Sequence, residues 1–150
     1  MKNNKADSAQ VIVHAPVAKV TVAPTTAQIN RGGTVALAGE LRDQGIAVNA
    51  LWPRTTIATA AIKNLLGGER VMRMSRKPEI MAEAACRIVQ KPAKSFTGNF
   101  LIDDSFLAAE GVTDFEQYRV DAREPLAPTF FVPDEPLPPA SVTVTGKRWD

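Results

Sequence analysis

The sequence predicts an α/β protein built on a parallel sheet, and three observations carry that expectation. An amphipathic stretch over residues 34–44 ends at Gly45 and leads at once into the mostly apolar run Ile46-Ala47-Val48-Asn49-Ala50-Leu51-Trp52. Helix, short glycine link and buried strand, in that order, make the second half of a βαβ unit. A second helix signal, from Pro78 to about Gln90, precedes a second short strand signal at Gly98–Asp103. The 150 residues are 45% hydrophobic and 23% charged, a balance that can bury a core and excludes wholesale disorder.

Each element has its local reason. Residues 1–10 are polar and read as a disordered leader that lacks the apolar segment of a signal peptide. Val11–Val22 is rich in Val, which favours strand, but Pro16 interrupts it because proline donates nothing to a ladder. Residues 23–33 hold Pro24, Asn30 and Gly32-Gly33 and read as loop. Thr34 is the expected N-cap of the next helix. Val35, Leu37, Ala38 and Leu41 supply its apolar face, and Gly45 stops it. Pro53 ends the strand over 46–52. Residues 54–66 form a polar turn and a short helix closed by Gly67-Gly68, and residues 69–77 are basic. Pro78 suits a first helical position, and Glu79 and Glu83 sit where the helix dipole favours anions. Ile80, Ala84 and Ile88, with Met81 and Ala85, form the buried stripe of this helix. Cys86, among alanines, is expected to be buried as a small apolar residue. Residues 104–118 predict one or two helical turns, with Tyr118 packing as an amphipathic residue. Six prolines between Pro125 and Pro139 predict an extended tail without a core of its own, and Ser141–Thr145 forms an edge strand or stays loose. The expected organisation is a leader over 1–10, a degenerate segment over 11–33, a partial α/β domain over 34–124 and a proline-rich tail over 125–150.

Composition removes several function classes. Eighteen Lys and Arg against sixteen Asp and Glu leave a net charge of +2, which argues against a dedicated nucleic-acid binder. One cysteine excludes an internal disulfide and fits a reducing, cytoplasmic setting. Together with the single His14 it cannot complete a zinc site, so no metal ligands are expected. No apolar run reaches the length of a membrane span. Residues 1–77 carry eleven Lys and Arg against four acids, and residues 78–150 carry seven against twelve. That asymmetry either steers an anionic ligand to the first half or is scattered solvated charge. Arg70, Arg73, Arg76 and Lys77 have the same two readings: a receiver for an anionic substrate such as an acyl-CoA, or a solvated face. Val71, Met72 and Met74 line an apolar substrate site or belong to the core. Asn49 is expected to hydrogen-bond a neighbouring loop.

Three segments keep one order and spacing. They are Leu37-Ala38-Gly39-Glu40-Leu41 running on to Asn49-Ala50-Leu51-Trp52-Pro53-Arg54-Thr55, the Thr-rich turn after Pro53, and Lys91-Pro92 followed by Ser95-Phe96-Thr97-Gly98-Asn99-Phe100-Leu101-Ile102-Asp103. With the tail Pro125-Leu126-Ala127-Pro128 and Phe130-Phe131, they resemble the C-terminal half of the short-chain dehydrogenase/reductase family over roughly residues 34–133. The subgroup most similar is that of the hydroxysteroid-dehydrogenase-like protein 2 and the citronellol/citronellal dehydrogenases. The resemblance implies the distal half of a doubly wound Rossmann-like sheet, with a dinucleotide across the carboxyl ends of its strands. It places a mobile substrate lid over residues 54–75.

The resemblance also implies NAD or NADP as cofactor and a small apolar alcohol or carbonyl as substrate. Pro53, Thr56, Ile57 and Thr59 would contact the cofactor; the competing reading is that Thr55 and Thr56 cap the helix over 57–66. The family's Tyr-x-x-x-Lys pair should lie just before residue 34. Its positions hold Pro24 and Gln28 in one register and Ala23 and Ala27 in the other. The family's Ser, expected near Val11–His14, and its G-x-G-x-x-G loop are not found. No catalytic residue is therefore expected, and the chain alone should be inactive, a truncated remnant of an oxidoreductase. The alternative is a non-catalytic module that associates, as a homo-oligomer, through the helices over 34–44 and 78–90 and the last strand. A third possibility makes His14 or Tyr118 a substitute acid.

Overall fold

The computed structural model describes residues 37–129 and 136–144. Expectations placed on Val11–Val22, His14, residues 23–33 and Thr34 lie outside the described residues. Among the described residues the sheet has two strands, β1 (Ala50–Trp52) and β2 (Phe100–Ile102). They run parallel, with Ala50 opposite Phe100, Leu51 opposite Leu101 and Trp52 opposite Ile102. The predicted parallel α/β architecture is present, and the strand is shorter than the sequence implies. Regular pairing begins at Ala50 rather than Ile46, because the backbone upstream finds other partners. The Val48 N–H donates to the Thr97 hydroxyl at 2.9 Å, and the Gly98 N–H, at a left-handed φ of +80°, donates to the Val48 carbonyl. Asn49 bonds its neighbours as expected: its Oδ1 accepts the N–H and the Nδ2 of Asn99, and its own Nδ2 donates to the Phe96 carbonyl. β1 is half-buried rather than buried. Leu51 and Leu101 pack into the core on one face, and Trp52 stacks on Phe100 on the other.

Residues 37–41 are helical and tighten into a single 3-10 turn at Arg42–Gln44, where Gly45 at φ +73° stops the helix as predicted. A helical turn from residue 60 passes into the π-helical Ile62–Leu66. Gly67-Gly68 closes that helix but also opens another, α1 (Gly68–Arg73), so residues 69–73 are helical. The predicted helix after Pro78 is α2 (Glu79–Val89), with Ile80 and Ala84 fully buried. Two expectations fail on it: Ala85 and Cys86 are exposed. At 3.6 residues per turn they lie roughly 140° and 240° round the axis from Ile80, on the far side from the core. β2 leads without a loop into α3 (Asp103–Ala109), and a 3-10 turn follows at Glu116–Tyr118.

The core unites Ile80, Ala84, Phe106, Leu107, Phe115, Tyr118, Leu126 and Val142. Two of these residues belong to the segment expected to be an extended tail without a core of its own. Leu126 is 2% exposed and Val142 6%. Proline denies this segment a ladder, yet it leaves the side chains between prolines free to bury. The segment's described residues, 125–129 and 136–144, form no regular helix or strand and contribute Leu126 and Val142 to the same core.

Tyr118 packs as predicted and donates its hydroxyl to the Glu83 carboxylate. Burial, and then this bond, pushes its pKa up to about 12, while Tyr118 and Arg87 hold the Glu83 carboxyl below its ordinary range. Tyr118→Phe keeps the ring and removes a bond to a charged acceptor. It is expected to lower stability by about 1.5 kcal/mol, read as a drop in the urea midpoint.

Candidate functional site at the carboxyl ends of the strands

Parallel strands deliver their carboxyl ends to one side, and the register carries on past the ladder. Partners in the sheet are fifty positions apart, and the same offset brings Arg54 to Asp104. The Arg54 N–H donates to Asp103 Oδ1 at 2.9 Å. Its Nε is shared between the two Asp104 oxygens at 2.8 and 2.9 Å, and its Nη2 donates to the Ser105 hydroxyl at 2.6 Å. Arg76 Nη1 donates to the same Asp104 carboxylate at 3.1 Å, and its guanidinium lies 5.8 Å from the centre of the Phe115 ring.

All four charged residues are buried. Burial is the main reason that the Asp103 carboxyl is pushed up to about 6; the N–H of Arg54, the nearby Arg76 and the N–H of Asp104 oppose it. Among the described residues, Asp103 Oδ2 and Arg76 Nε and Nη2 find no hydrogen-bond partner.

The loop that leaves β1 is held on two sides. Arg76 N–H donates to the Thr56 carbonyl, and Ala58 N–H donates to the Arg76 carbonyl, which pairs Ile57 with Arg76. From the other side, Thr56 N–H donates to the Ala127 carbonyl and Thr129 N–H to the Arg54 carbonyl. The proline-rich segment therefore acts as an irregular strand beside residues 54–56 (Thr55 bridges Pro128).

Of the predicted cofactor residues, Pro53, Thr56 and Ile57 share this loop. Pro53 is half-buried. Thr56 is 1% exposed, and its hydroxyl donates at 2.7 Å to Ser75, whose own hydrogen goes to the Val71 carbonyl. The bonds that pair Ile57 with Arg76 use the carbonyl of Thr56 and the N–H of Ala58, so the N–H and C=O of Ile57 itself face away from Arg76. Thr59 stands apart, exposed, at the start of the next helix, where its hydroxyl accepts the Ile62 N–H at 3.4 Å. The capping expectation thus moves from Thr55 and Thr56, both buried, to Thr59.

The basic cluster is neither a single solvated face nor a single anion receiver. Arg76 is fully buried, Lys77 donates to the Gln117 carbonyl, Arg73 pairs with Glu124, and Arg70 is exposed. Val71 is core, whereas Met72 and Met74 are half-buried. Among the described residues no three His, Cys, Asp or Glu converge on a metal site. The sequence reading misses the pairings of Asp104 with Arg54 and Arg76. Their one signal is the pair of opposite charges at matching distances beyond the two strand ends.

No family model matches the chain. It is 53% identical over 91 residues to hydroxysteroid dehydrogenase-like protein 2 of Bos taurus, covering 61% of this chain and 21% of that protein. It is 50% identical over 100 residues to the Rattus norvegicus protein of that name, covering 67% of this chain and 18% of the relative. The matched region thus spans about a fifth of the length of these curated relatives. A solved short-chain dehydrogenase from Mycobacterium thermoresistibile superposes with a TM-score of 0.63 at 46% identity, over 74% of this chain and 39% of that one.

Proposed function

We propose, on the premise that over this shared stretch the chain belongs to the short-chain dehydrogenase/reductase family, that it supplies the nicotinamide-side loop of an NAD- or NADP-dependent oxidoreductase acting on a small apolar alcohol or carbonyl. The observation that carries this reading is Ile57. Its N–H and C=O point away from Arg76 on a loop that leaves the carboxyl end of a parallel strand. A carboxamide offers an acceptor and a donor side by side, and one residue's C=O and N–H are their complement. Nicotinamide, when bound, gives or takes the hydride.

In this reading Pro53 starts the loop, and Thr56, through its bond to Ser75, holds the turn from within. Thr59 begins the helix that flanks the substrate. That helix exposes Leu65 and Leu66, and such apolar groups suit an apolar substrate. The sequence contains neither Tyr-x-x-x-Lys nor G-x-G-x-x-G. The acceleration from proton transfer, typically 10²–10⁴-fold, is thus not supplied by these residues, and the chain by itself does not turn over. Tyr118 does not replace the missing acid, because its hydroxyl is committed to Glu83. Among the described residues no helix is long and apolar enough to cross a membrane. We place the protein in the cytoplasm.

The test is a titration of the ¹⁵N-labelled chain with NADH and NADPH up to millimolar concentration. The expected result is a shift of the Ile57 amide resonance without turnover of added aldehyde. An unmoved Ile57 amide would sink the cofactor-loop reading, and turnover would sink the inactivity.

A second reading, a non-catalytic module that self-associates, is favoured by the outer face of α2, where Ala82, Ala85, Cys86 and Val89 are exposed together. A defined dimer or tetramer in size-exclusion chromatography supports it, and a monomer excludes it.

A further inference from the structure

We infer that Asp104 is a positioning residue for the loop over residues 54–58, setting its conformation for the ligand that Ile57 receives; this rests on the reading above. One carboxylate receives both guanidiniums, and the two arginines sit at opposite ends of the loop's pairing. Arg54 is the residue with which the chain leaves β1. Arg76 is the residue whose backbone pairs across Ile57, through Thr56 and Ala58. The loop is therefore closed into a ring by way of Asp104, and Asp104 is itself fixed in the first turn of α3, directly after β2.

Stability alone is a poor reason for such a device. Buried ion pairs seldom outperform apolar residues of equal volume, and their best-attested use is to specify one arrangement. This cluster is also incompletely satisfied, with Arg76 Nε and Nη2 and Asp103 Oδ2 unpartnered among the described residues. Directional bonds that tie a loop to the neighbouring strand end serve geometry, and the geometry they serve is that of the segment carrying Ile57.

The experiment compares amide hydrogen exchange of the whole chain and of its Asp104→Asn variant, without and with millimolar NADH. Thr56 and Ala58 amides report the loop, and the Ala84 amide reports the core. Asp104→Asn is expected to speed exchange at Thr56 and Ala58 by at least about tenfold more than at Ala84, whose own acceleration reports the global loss of stability, and to abolish the Ile57 response to NADH. Unchanged exchange at Thr56 and Ala58, or an equal acceleration at all three amides, would overturn the positioning role. If Asp104→Asn does not fold, Arg54→Lys keeps the charge and removes the forked donor, and the same amides decide. The two readings separate cleanly. A wild-type chain whose Ile57 ignores NADH while Asp104→Asn frees the loop well beyond the core would refute the cofactor reading and leave the positioning in place.

Discussion

Asp104→Ala is expected to lower the unfolding free energy by about 3–5 kcal/mol, the cost of stranding a buried charge. The carboxylate is fully buried and is the ion-pair partner of Arg54 and of Arg76, whose side chains are 6% and 0% exposed. Its removal leaves two guanidiniums that water cannot reach. Arg76 begins with two donor nitrogens, Nε and Nη2, already unpartnered among the described residues, so it has little left to lean on beyond the Phe115 ring. Urea denaturation followed by Trp fluorescence measures the change. A loss below about 1 kcal/mol would mean that the pair is solvated and worth no more than a surface bridge. Glu69→Ala, at the exposed pair with Lys63, is the control and should leave the midpoint in place.

Asp103→Asn is expected to do the opposite at neutral pH. In the folded chain the Asp103 carboxyl is pushed up to about 6 from 3.8, chiefly by burial, so the folded state prefers the protonated form. A group of this kind contributes stability that is full below pH 3.8 and is lost as the pH rises through 6. A rise of that size corresponds to a loss of up to ~3 kcal/mol above pH 6. Asparagine cannot ionise, and its Oδ1 still accepts from the N–H groups of Arg54 and Asp104, the two bonds that the Asp103 Oδ1 makes now. The stability of wild type relative to Asp103→Asn should therefore fall between pH 4 and pH 6 and then level off. Other carboxyls of the chain, Asp121 among them, are shifted the other way. The difference between the two profiles isolates Asp103, and a flat difference would show that its carboxylate is not destabilised by burial.

Helix placement was legible wherever a short-range rule decides it. Pro78 began a helix, Gly45 ended one, and the 3.6-residue period found Ile80 and Ala84. The same period, extended one residue too far, buried Ala85, and the small apolar character of Cys86 buried that residue too; the finished helix exposes both. Local rules left open where the side chains of the proline-rich segment go, because a lack of ladder bonds says nothing about whether Leu126 and Val142 find a hydrophobic cavity to fill. For the candidate site the sequence pointed to the turn after Pro53. It did not reveal that Thr56 turns inward to Ser75 while Ile57 turns its backbone away from Arg76.

The sequence by itself determined the α/β class with its parallel sheet, the places of its two strands and the family to which this stretch is similar, because those follow from periodicity, turn residues and motif order within a few tens of positions. Only the tertiary structure decided the fate of the charges. In the sequence Arg76 is one of four clustered cations, read either as an anion receiver or as a solvated face, and nothing links it to Asp104. The fifty-residue register between β1 and β2 brings Arg54 to Asp104, and the pairing of residues 56–58 with residue 76 brings the second arginine to the same carboxylate. Whether a charged side chain is solvated or paired depends on what the fold places within about 3 Å of it, and no local pattern encodes that distance.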